Sequence, residues 1–298
     1  MGASRFQVLS QVQVQQFLDQ GYTAVEGCFT EDFARPLREQ ACRRLGCDPD
    51  DPATWKQEIA YLDHHTRFRV KELSPRAWAA ICEVVGGEER IEFSPTLIQP
   101  SPHFTSIESG NWSDAFIINF SYGAGQPWEP PSAITKGWHK DGAFFRHFLD
   151  SPDQGLLTVI LWSEVRPRSG GTFIACDSVR HVARYLLEHP EGVSPDSFSP
   201  LIGQCRDFAE LTGQPGDLIL LHPFVLHTSS PNPSGRPRFI TNPPIVLREP
   251  LVFDRPDPDD FSLVEQAILR GLGAERLAFA PTAPRQRIAL SGPAAKKY

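Results

Sequence analysis

The sequence lacks the features that would assign it to several common protein classes. No apolar run approaches roughly 18 residues, so a membrane-spanning helix is not expected. Acidic residues outnumber basic ones, 36 against 29, and a net charge of −7 gives no support for nucleic-acid binding. Neither a membrane nor a nucleic acid is therefore expected as a partner.

Cysteine patterns that would indicate a scaffold are also missing. The six cysteines are scattered and none forms a C-x-x-C pair, so a zinc site built from such pairs is not expected. No secretory leader is predicted, so a disulfide framework is not expected for these thiols. Reduced cysteines and a cytoplasmic location are the default predictions.

Proline, by contrast, is abundant. The 28 prolines among 298 residues are roughly twice the average frequency. This content favours loops and short strands over long helices. The 40% of hydrophobic residues is enough for a sizeable buried core.

Helical signals dominate the N-terminal part, about residues 1–95. Apolar spacing predicts a helix over Val12–Leu18 that stops at Gly21. Thr30 is suited to cap a second helix that ends near residue 46. The Ser-Pro pair at 74–75 predicts the start of a third, which ends at the glycine pair 86–87.

The pattern changes to short strands over about residues 96–250. Apolar or alternating runs, rich in β-branched residues and separated by proline and glycine, predict strands. They occupy residues 116–122, 156–165, 172–177 and 217–223. Short strands with turn signals favour a sandwich or a double-sheet jelly roll.

Two helices and a tail complete the prediction. One helix is expected from Ser178 to about His189, between the strands. Another is expected within residues 251–275, and the tail from Pro281 is expected to be poorly ordered.

The stretch GWHKDGAFFRH, residues 137–147, places His139 and Asp141 two residues apart. In a strand, residues i and i+2 point to the same face, so the two side chains would project together, with Lys140 on the other side. An isolated H-x-D pair is more often an ordinary polar pair of the core or surface. A functional interpretation therefore needs a third ligand.

A second stretch, residues 216–242, supplies candidates. It predicts a strand, a proline-rich turn and a return strand, with His227 before the turn, Ser229 two residues later and Arg238 beyond it. Two histidines and one carboxylate form the facial triad of non-heme Fe(II) oxygenases. The planar fork of Arg238 is suited to a carboxylate. His222 is the alternative third ligand, and the spacing to serine and arginine favours His227.

These motifs resemble the phytanoyl-CoA dioxygenase family of Fe(II)/2-oxoglutarate-dependent oxygenases. The resemblance runs through QQFLDQGYTAVEGCFTEDFARPLRE, WHKDG, LWSEVRPRSGGTFIACDSVRH and GDLILLHPFVLHTSSPNPSGRPR. It implies a mainly β chain with flanking helices and a double-stranded β-helix (jelly-roll, cupin-like) core. Residues 1–298 would then form a single dioxygenase domain. Residues 47–115 and the tail match nothing in the family, and such regions usually shape substrate choice.

The resemblance also implies roles for individual residues. His139, Asp141 and His227 would be the catalytic iron ligands. Arg238 and Ser229 would bind the distal carboxylate of 2-oxoglutarate.

Three further residues are predicted at the cosubstrate. Trp162 matches a position that often lines the 2-oxoglutarate pocket. Strand parity adds Thr158 and Asn119, although an ordinary polar residue of the core is the alternative for both.

The remaining histidines are interpreted individually. His147, together with Phe144 and Phe145, follows the first two ligands and could line the mouth of the active site, with core packing as the alternative for the phenylalanines. Solvated helix positions are expected for His181 and His189, and surface or loop positions for His64, His65 and His103.

The activity that the resemblance implies uses Fe(II), 2-oxoglutarate and O2, with ascorbate in support. It oxidises a C–H bond of a small-molecule substrate, with hydroxylation as the expected outcome, and releases succinate and CO2. One alternative is a jelly-roll binding module that has lost metal-dependent turnover. A halogenase of the same superfamily is disfavoured, because those enzymes replace the carboxylate ligand with a small residue and Asp141 is present here.

Overall fold

The computed structural model describes residues 6–94, 96–97 and 106–288. The α-helices are α1 Gln11–Gln20, α2 Glu31–Leu45, α3 Val70–Leu73, α4 Pro75–Val85, α5 Ser178–Glu188 and α6 Leu263–Leu272. The strands are β1 Tyr22–Val25, β2 Ile59–Tyr61, β3 Arg67–Arg69, β4 Thr96–Leu97, β5 Ser106–Ile107, β6 Asn111–Ser113, β7 Ile117–Asn119, β8 Leu156–Leu161, β9 Thr172–Ala175, β10 Phe208–Glu210, β11 Leu218–Leu221, β12 His227–Ser229, β13 Arg238–Thr241 and β14 Pro244–Ile245.

Two antiparallel sheets form the core. The larger has the strand order β1-β11-β8-β13-β7-β2, with β14 paired to β8, and the smaller has the order β10-β9-β12. A bridge between His139 and His227 places the His139 segment beside β12 at the edge of the smaller sheet. This alternation of chain segments between two sheets is a double-stranded β-helix. The predicted mainly β fold with flanking helices and a jelly-roll core is confirmed.

The larger sheet is covered on both faces. All six residues of β8 are buried, as expected for a strand between two layers. Side chains along this part of the chain alternate between the two layers. Leu157 borders the cavity between the sheets, while Trp162 packs on the opposite side. The rings around Trp162 belong to Phe29, Phe33, Phe68 and Phe116.

The helices pack around α6, which contacts α1, α4 and α5. A capping box between Ser262 and Glu265 starts α6, and the left-handed Gly273 ends it. The four helices predicted over residues 12–18, 30–46, 74–86 and 178–189 are confirmed as α1, α2, α4 and α5. The helix predicted within residues 251–275 is limited to α6. No helix in the described ranges has the length and apolar character needed to cross a membrane.

Two expectations were wrong in detail. His139 forms only a single bridge, and Asp141 lies in a bend after it, so the H-x-D segment is not a continuous strand. The tail is held to the protein as far as residue 288, because Ile288 donates its N–H to the carbonyl of Phe144 and the Arg285 guanidinium pairs with a nearby aspartate. Residues 289–298 and His103 lie outside the described residues.

Candidate metal and cosubstrate site

A cavity of about 130 Å³ lies between the two sheets. Ile117, Leu157 and Ile240 line it from the larger sheet, and Thr172 and His227 line it from the smaller one. Strand alternation aims these side chains inward, so a polar residue at the same parity also reaches the cavity.

Three predicted ligands meet at one wall of this cavity. Their candidate ligand atoms all lie within 4.8 Å of one another. The Nε2 atoms of His139 and His227 are each 3.5 Å from Oδ1 of Asp141. The His139–His227 bridge brings the two imidazoles together, and the bend after His139 turns the carboxylate towards both.

The hydrogen bonds of both imidazoles fix the nitrogen that faces the carboxylate. Nδ1 of His139 lies 2.8 Å from the carbonyl oxygen of Gly137, and Nδ1 of His227 lies 3.1 Å from that of Val225. A carbonyl only accepts, so Nδ1 carries the proton and Nε2 of the neutral ring presents a lone pair. Two such lone pairs beside an anionic oxygen are suited to bind a cation.

The carboxyl of Asp141 is held in its ionised form. Burial raises the pKa of its carboxyl, but the imidazoles of His227 and His139, in their protonated form, outweigh that effect through their charge and hydrogen bonds and bring the pKa well below its usual range. Its Oδ2 accepts a hydrogen bond of 3.0 Å from Nδ2 of Asn242, while Oδ1 faces the imidazoles. Asn242 was not predicted, although it follows Arg238 at the parity of the inward residues.

The donor set fits an iron site. Two imidazoles and one carboxylate on the same wall form the arrangement that non-heme Fe(II) oxygenases use, which leaves coordination positions for other ligands. The Nδ1 hydrogen bonds supply the outer support that orients metal-binding histidines.

Arg238 is a buried cation that faces the same cavity. Its side chain is inward from β13, and the residue is only 2% exposed. Nε donates to the carbonyl of Gly170 at 2.7 Å, and Nη1 donates to that of Ile117 at 3.4 Å. Burial lowers the pKa of Arg238 to about 10, so it stays charged at neutral pH. Among the residues that the structure describes, no carboxylate pairs with it.

Ser229 and Tyr61 border the cavity beside Arg238. Ser229 follows His227 by two residues on β12, as the sequence predicted. Tyr61 was not predicted; it lies on β2, opposite Ile117. Burial raises the pKa of the Tyr61 phenol, while the charge of Arg238 lowers it and that of Asp141 raises it.

Trp162 and Thr158 do not line the cavity. Both have the parity that faces the outer layer of the larger sheet. The indole Nε1 of Trp162 donates to Oγ1 of Thr241 at 2.9 Å, and Oγ1 of Thr158 donates to the carbonyl of Pro243 at 2.6 Å. Because Thr241 and Pro243 border the cavity, the two predicted residues support its wall from behind.

Asn119 has the inward parity, because it is paired with Arg238. Its amide is nevertheless used within the fold. Nδ2 donates to the carbonyl of Ser230 at 3.0 Å, and Oδ1 accepts from the N–H of Tyr122 at 3.0 Å. The structure therefore places Asn119 outside the cavity lining.

The structure brings His227, and not His222, to the other two ligands. His222 is buried, its Nε2 donates to the carbonyl of Val264 at 3.2 Å, and its Nδ1 accepts from the N–H of Phe224 at 3.0 Å. Burial lowers its pKa to about 3. Both ring nitrogens are therefore engaged in the core.

The aromatic residues after the ligands are divided between two sides. Phe144 borders the cavity, whereas Phe145 and His147 stack on each other and surround Lys140. The prediction that His147 lines the mouth of the site was therefore wrong. His181 is not solvated as expected either, since its side chain is 12% exposed.

A second group of metal-type donors contains Asp177, His181 and Cys205. It already holds a cation, because the guanidinium of Arg180 donates to Oδ2 of Asp177 at 2.8 Å and to Nε2 of His181 at 3.2 Å. This group is therefore explained by the fold itself.

No family model matches the chain, and no curated protein matches it by sequence. Similar solved structures include EvdO2 from Micromonospora carbonacea var. aurantiaca, with 14% identity, a TM-score of 0.43, and coverage of 88% of this chain and 99% of that chain. The non-heme alpha ketoglutarate dependent carbocyclase SnoK from nogalamycin biosynthesis has 15% identity, a TM-score of 0.41, and coverage of 80% and 84%. EctD from S. alaskensis with 2-oxoglutarate and 5-hydroxyectoine has 17% identity, a TM-score of 0.40, and coverage of 83% and 78%. Identities and TM-scores this low carry no conclusion about the activity of this chain.

Proposed function

We propose that residues 1–298 form an Fe(II)- and 2-oxoglutarate-dependent dioxygenase of the phytanoyl-CoA dioxygenase type. The reaction would oxidise, and in the simplest case hydroxylate, a C–H bond of a small-molecule metabolite. One observation carries the proposal. The same cavity contains a His-Asp-His triad with converging ligand atoms and a buried guanidinium that no described carboxylate neutralises.

Each polar residue of the cavity has a defined task in this reaction. His139, Asp141 and His227 would hold Fe(II), and Asp141 would supply the negative charge that two neutral imidazoles lack. Arg238 would bind the distal carboxylate of 2-oxoglutarate as a planar fork, with a hydrogen bond from the Ser229 hydroxyl. When bound, Fe(II) and 2-oxoglutarate would supply O2 activation, with release of succinate and CO2.

The apolar walls of the cavity have a separate task. Ile117, Phe144 and Leu157 surround the polar groups and limit the access of water. A dry environment strengthens the interaction between Arg238 and an anionic ligand. It also favours a substrate that presents an apolar C–H bond towards the triad.

Anaerobic titration of the wild-type protein tests the proposal. Fe(II) alone should bind, and addition of 2-oxoglutarate should then produce the weak visible charge-transfer absorption of an iron–keto-acid chelate. In air, with ascorbate, succinate and CO2 should be released slowly even without the specific substrate. Asp141→Ala should abolish both signals. The control is Asp153→Ala, which should retain them, because Asp153 pairs with Arg287 instead.

The alternative function is a binding module without turnover. A wild-type protein that binds no Fe(II), shows no absorption band with 2-oxoglutarate and forms no succinate would establish that alternative.

A further inference from the structure

Lys140 lies between two ligands of the triad and points away from the cavity into the protein. The residue is only 5% exposed, which is rare for lysine. Its Nζ lies 2.9 Å from Nδ1 of His147, 3.3 Å from the carbonyl oxygen of Asp141 and 3.5 Å from Oε1 of Gln154. An ammonium has three N–H donors, so each has an acceptor.

Three aromatic rings enclose this ammonium. Nζ lies 5.5–5.7 Å from the ring centroids of Phe145, Phe198 and Phe224, within the range of cation–π contacts. Burial still penalises a charge at this position, because it removes the ammonium from water. An apolar side chain would fill such a space at a lower cost in folding free energy. The lysine therefore calls for a role that packing alone does not explain.

His147 extends the reach of this ammonium to a second carbonyl. Nε2 of His147 donates to the carbonyl of Gly142 at 2.9 Å, so its Nδ1 is the acceptor for Lys140. Gly142 has φ +107°, and a Cβ there would lie 2.5 Å from the ring of Phe145. One buried charge thus holds two consecutive carbonyls, that of Asp141 directly and that of Gly142 through His147.

The sheet does not hold this part of the chain. His139 exchanges both backbone hydrogen bonds with His227, at 3.0 and 2.9 Å, but the pairing ends there and Asp141 lies in a bend. A ligand on a strand is oriented by the ladder of backbone hydrogen bonds on both sides. In place of that ladder, Lys140 donates to the carbonyl of Asp141 and His147 donates to that of the next residue, Gly142.

We propose that Lys140 is a positioning residue, whose hydrogen bonds to the Asp141 carbonyl and to His147 orient Asp141 for metal binding. This inference rests on the proposed function, because it assigns Asp141 to the metal. The lysine does not touch the metal or the substrate. It sets the backbone of the ligand from behind, as outer-shell partners of metal ligands do.

The test is Co(II) titration of the metal-free protein, which needs neither substrate nor turnover. Lys140→Met keeps an unbranched side chain of similar size and removes the charge and all three hydrogen bonds. We expect the Kd for Co(II) to rise about 10- to 100-fold, with an altered ligand-field spectrum. Thermal stability should be retained or increased, because a buried charge is removed. Lys136→Met is the matched control, since Lys136 is an exposed lysine of the same segment.

A second variant keeps the test decisive. His147→Phe leaves Lys140 in place but removes the hydrogen bond to Gly142, and it should weaken Co(II) binding in the same direction. If Lys140→Met does not fold, His147→Phe decides alone. A folded variant with the wild-type Kd for Co(II) and the wild-type ligand-field spectrum would mean that Lys140 has only a structural role. Failure of the wild-type protein to bind Co(II) would instead reject the triad, so the two results are distinguishable.

Discussion

Two buried cations lie on opposite sides of the ligand segment, and the fold treats them differently. The ammonium of Lys140 has an acceptor for each N–H and three rings around it. Within the described residues, the guanidinium of Arg238 donates only to the carbonyls of Gly170 and Ile117, and it borders a cavity. Buried polar groups are normally paired. A buried cation whose N–H groups all donate to the protein has a structural role. A buried cation that faces a cavity with N–H groups still available for hydrogen bonds indicates an anionic ligand.

The same contrast separates two neighbouring histidines. His222 uses both ring nitrogens within the core, through Val264 and Phe224. His227 uses only Nδ1 for a carbonyl and turns Nε2 towards Asp141. The two imidazoles are five residues apart, and both are buried, so burial alone does not distinguish a ligand from a core residue. The direction of the second nitrogen does.

The largest expected effect follows from this pair. His227→Ala removes a ligand outright, so metal binding and succinate formation should be lost. His222→Gln should keep the metal, because its side chain faces the core, and should lower the free energy of unfolding by about 1–3 kcal/mol as a buried hydrogen bond is impaired. Metal content and thermal unfolding, measured on both variants, would show the two effects. The reverse pattern would assign the third ligand to His222.

The next effect concerns the two cations. Arg238→Lys keeps a charge but loses the planar fork, and we expect the apparent KM for 2-oxoglutarate to rise about 10-fold or more, since a hydrogen bond to a charged group contributes about 1.5–3 kcal/mol. Arg238→Met should show a larger increase. The Kd for Fe(II) alone should stay near the wild-type value in both. An unchanged KM in both variants would contradict the assignment of Arg238 to the cosubstrate.

The parts of the site that the sequence predicts are those governed by local geometry. The hairpin spacing places His227, Ser229 and Arg238 on two strands and a bridge joins His139 to His227, so strand parity is enough to bring these four to one cavity. Asp141 lies two residues after His139 as predicted, but it reaches the cavity through a bend and not through strand parity. The structure also confirms that Lys140 faces away from Asp141. Its complete burial could not be read locally, since it depends on Phe198 and Phe224, which are distant in the sequence.

Other predictions were limited by the absence of a pattern. The run LLTVILW is apolar at almost every position because both faces of β8 are covered, so alternation could not show that Thr158 and Trp162 face outward. Tyr61 reaches the cavity through long-range pairing of β2 with β7, in a region without a motif. Residues 281–288 have a polar, proline-containing sequence, but the pair of Arg287 with Asp153, at 3.0 Å, holds this part of the chain in place.

The effect that is smallest near neutral pH is the contribution of His222 to the pH dependence of stability. In the unfolded chain a histidine titrates at about pH 6.5, while burial lowers the pKa of His222 in the folded protein to about 3. Above pH 6.5 neither state binds the proton, so His222 adds no pH dependence. Below it, the unfolded state binds a proton that the folded state rejects, and the free energy of unfolding falls with decreasing pH by up to about 1.4 kcal/mol per unit.

His222→Gln isolates this contribution, because the glutamine amide has a hydrogen-bond donor and an acceptor but does not titrate. Urea unfolding of metal-free wild type and variant at several pH values between 7 and 4 gives the two slopes, and carboxylates and His147 contribute equally to both. Although the variant is less stable at pH 7, its stability should fall less steeply below about pH 6.5, so the two curves converge. Parallel curves would mean that the pKa of His222 is the same in the folded and the unfolded protein, which would contradict its assignment as a fully paired core residue.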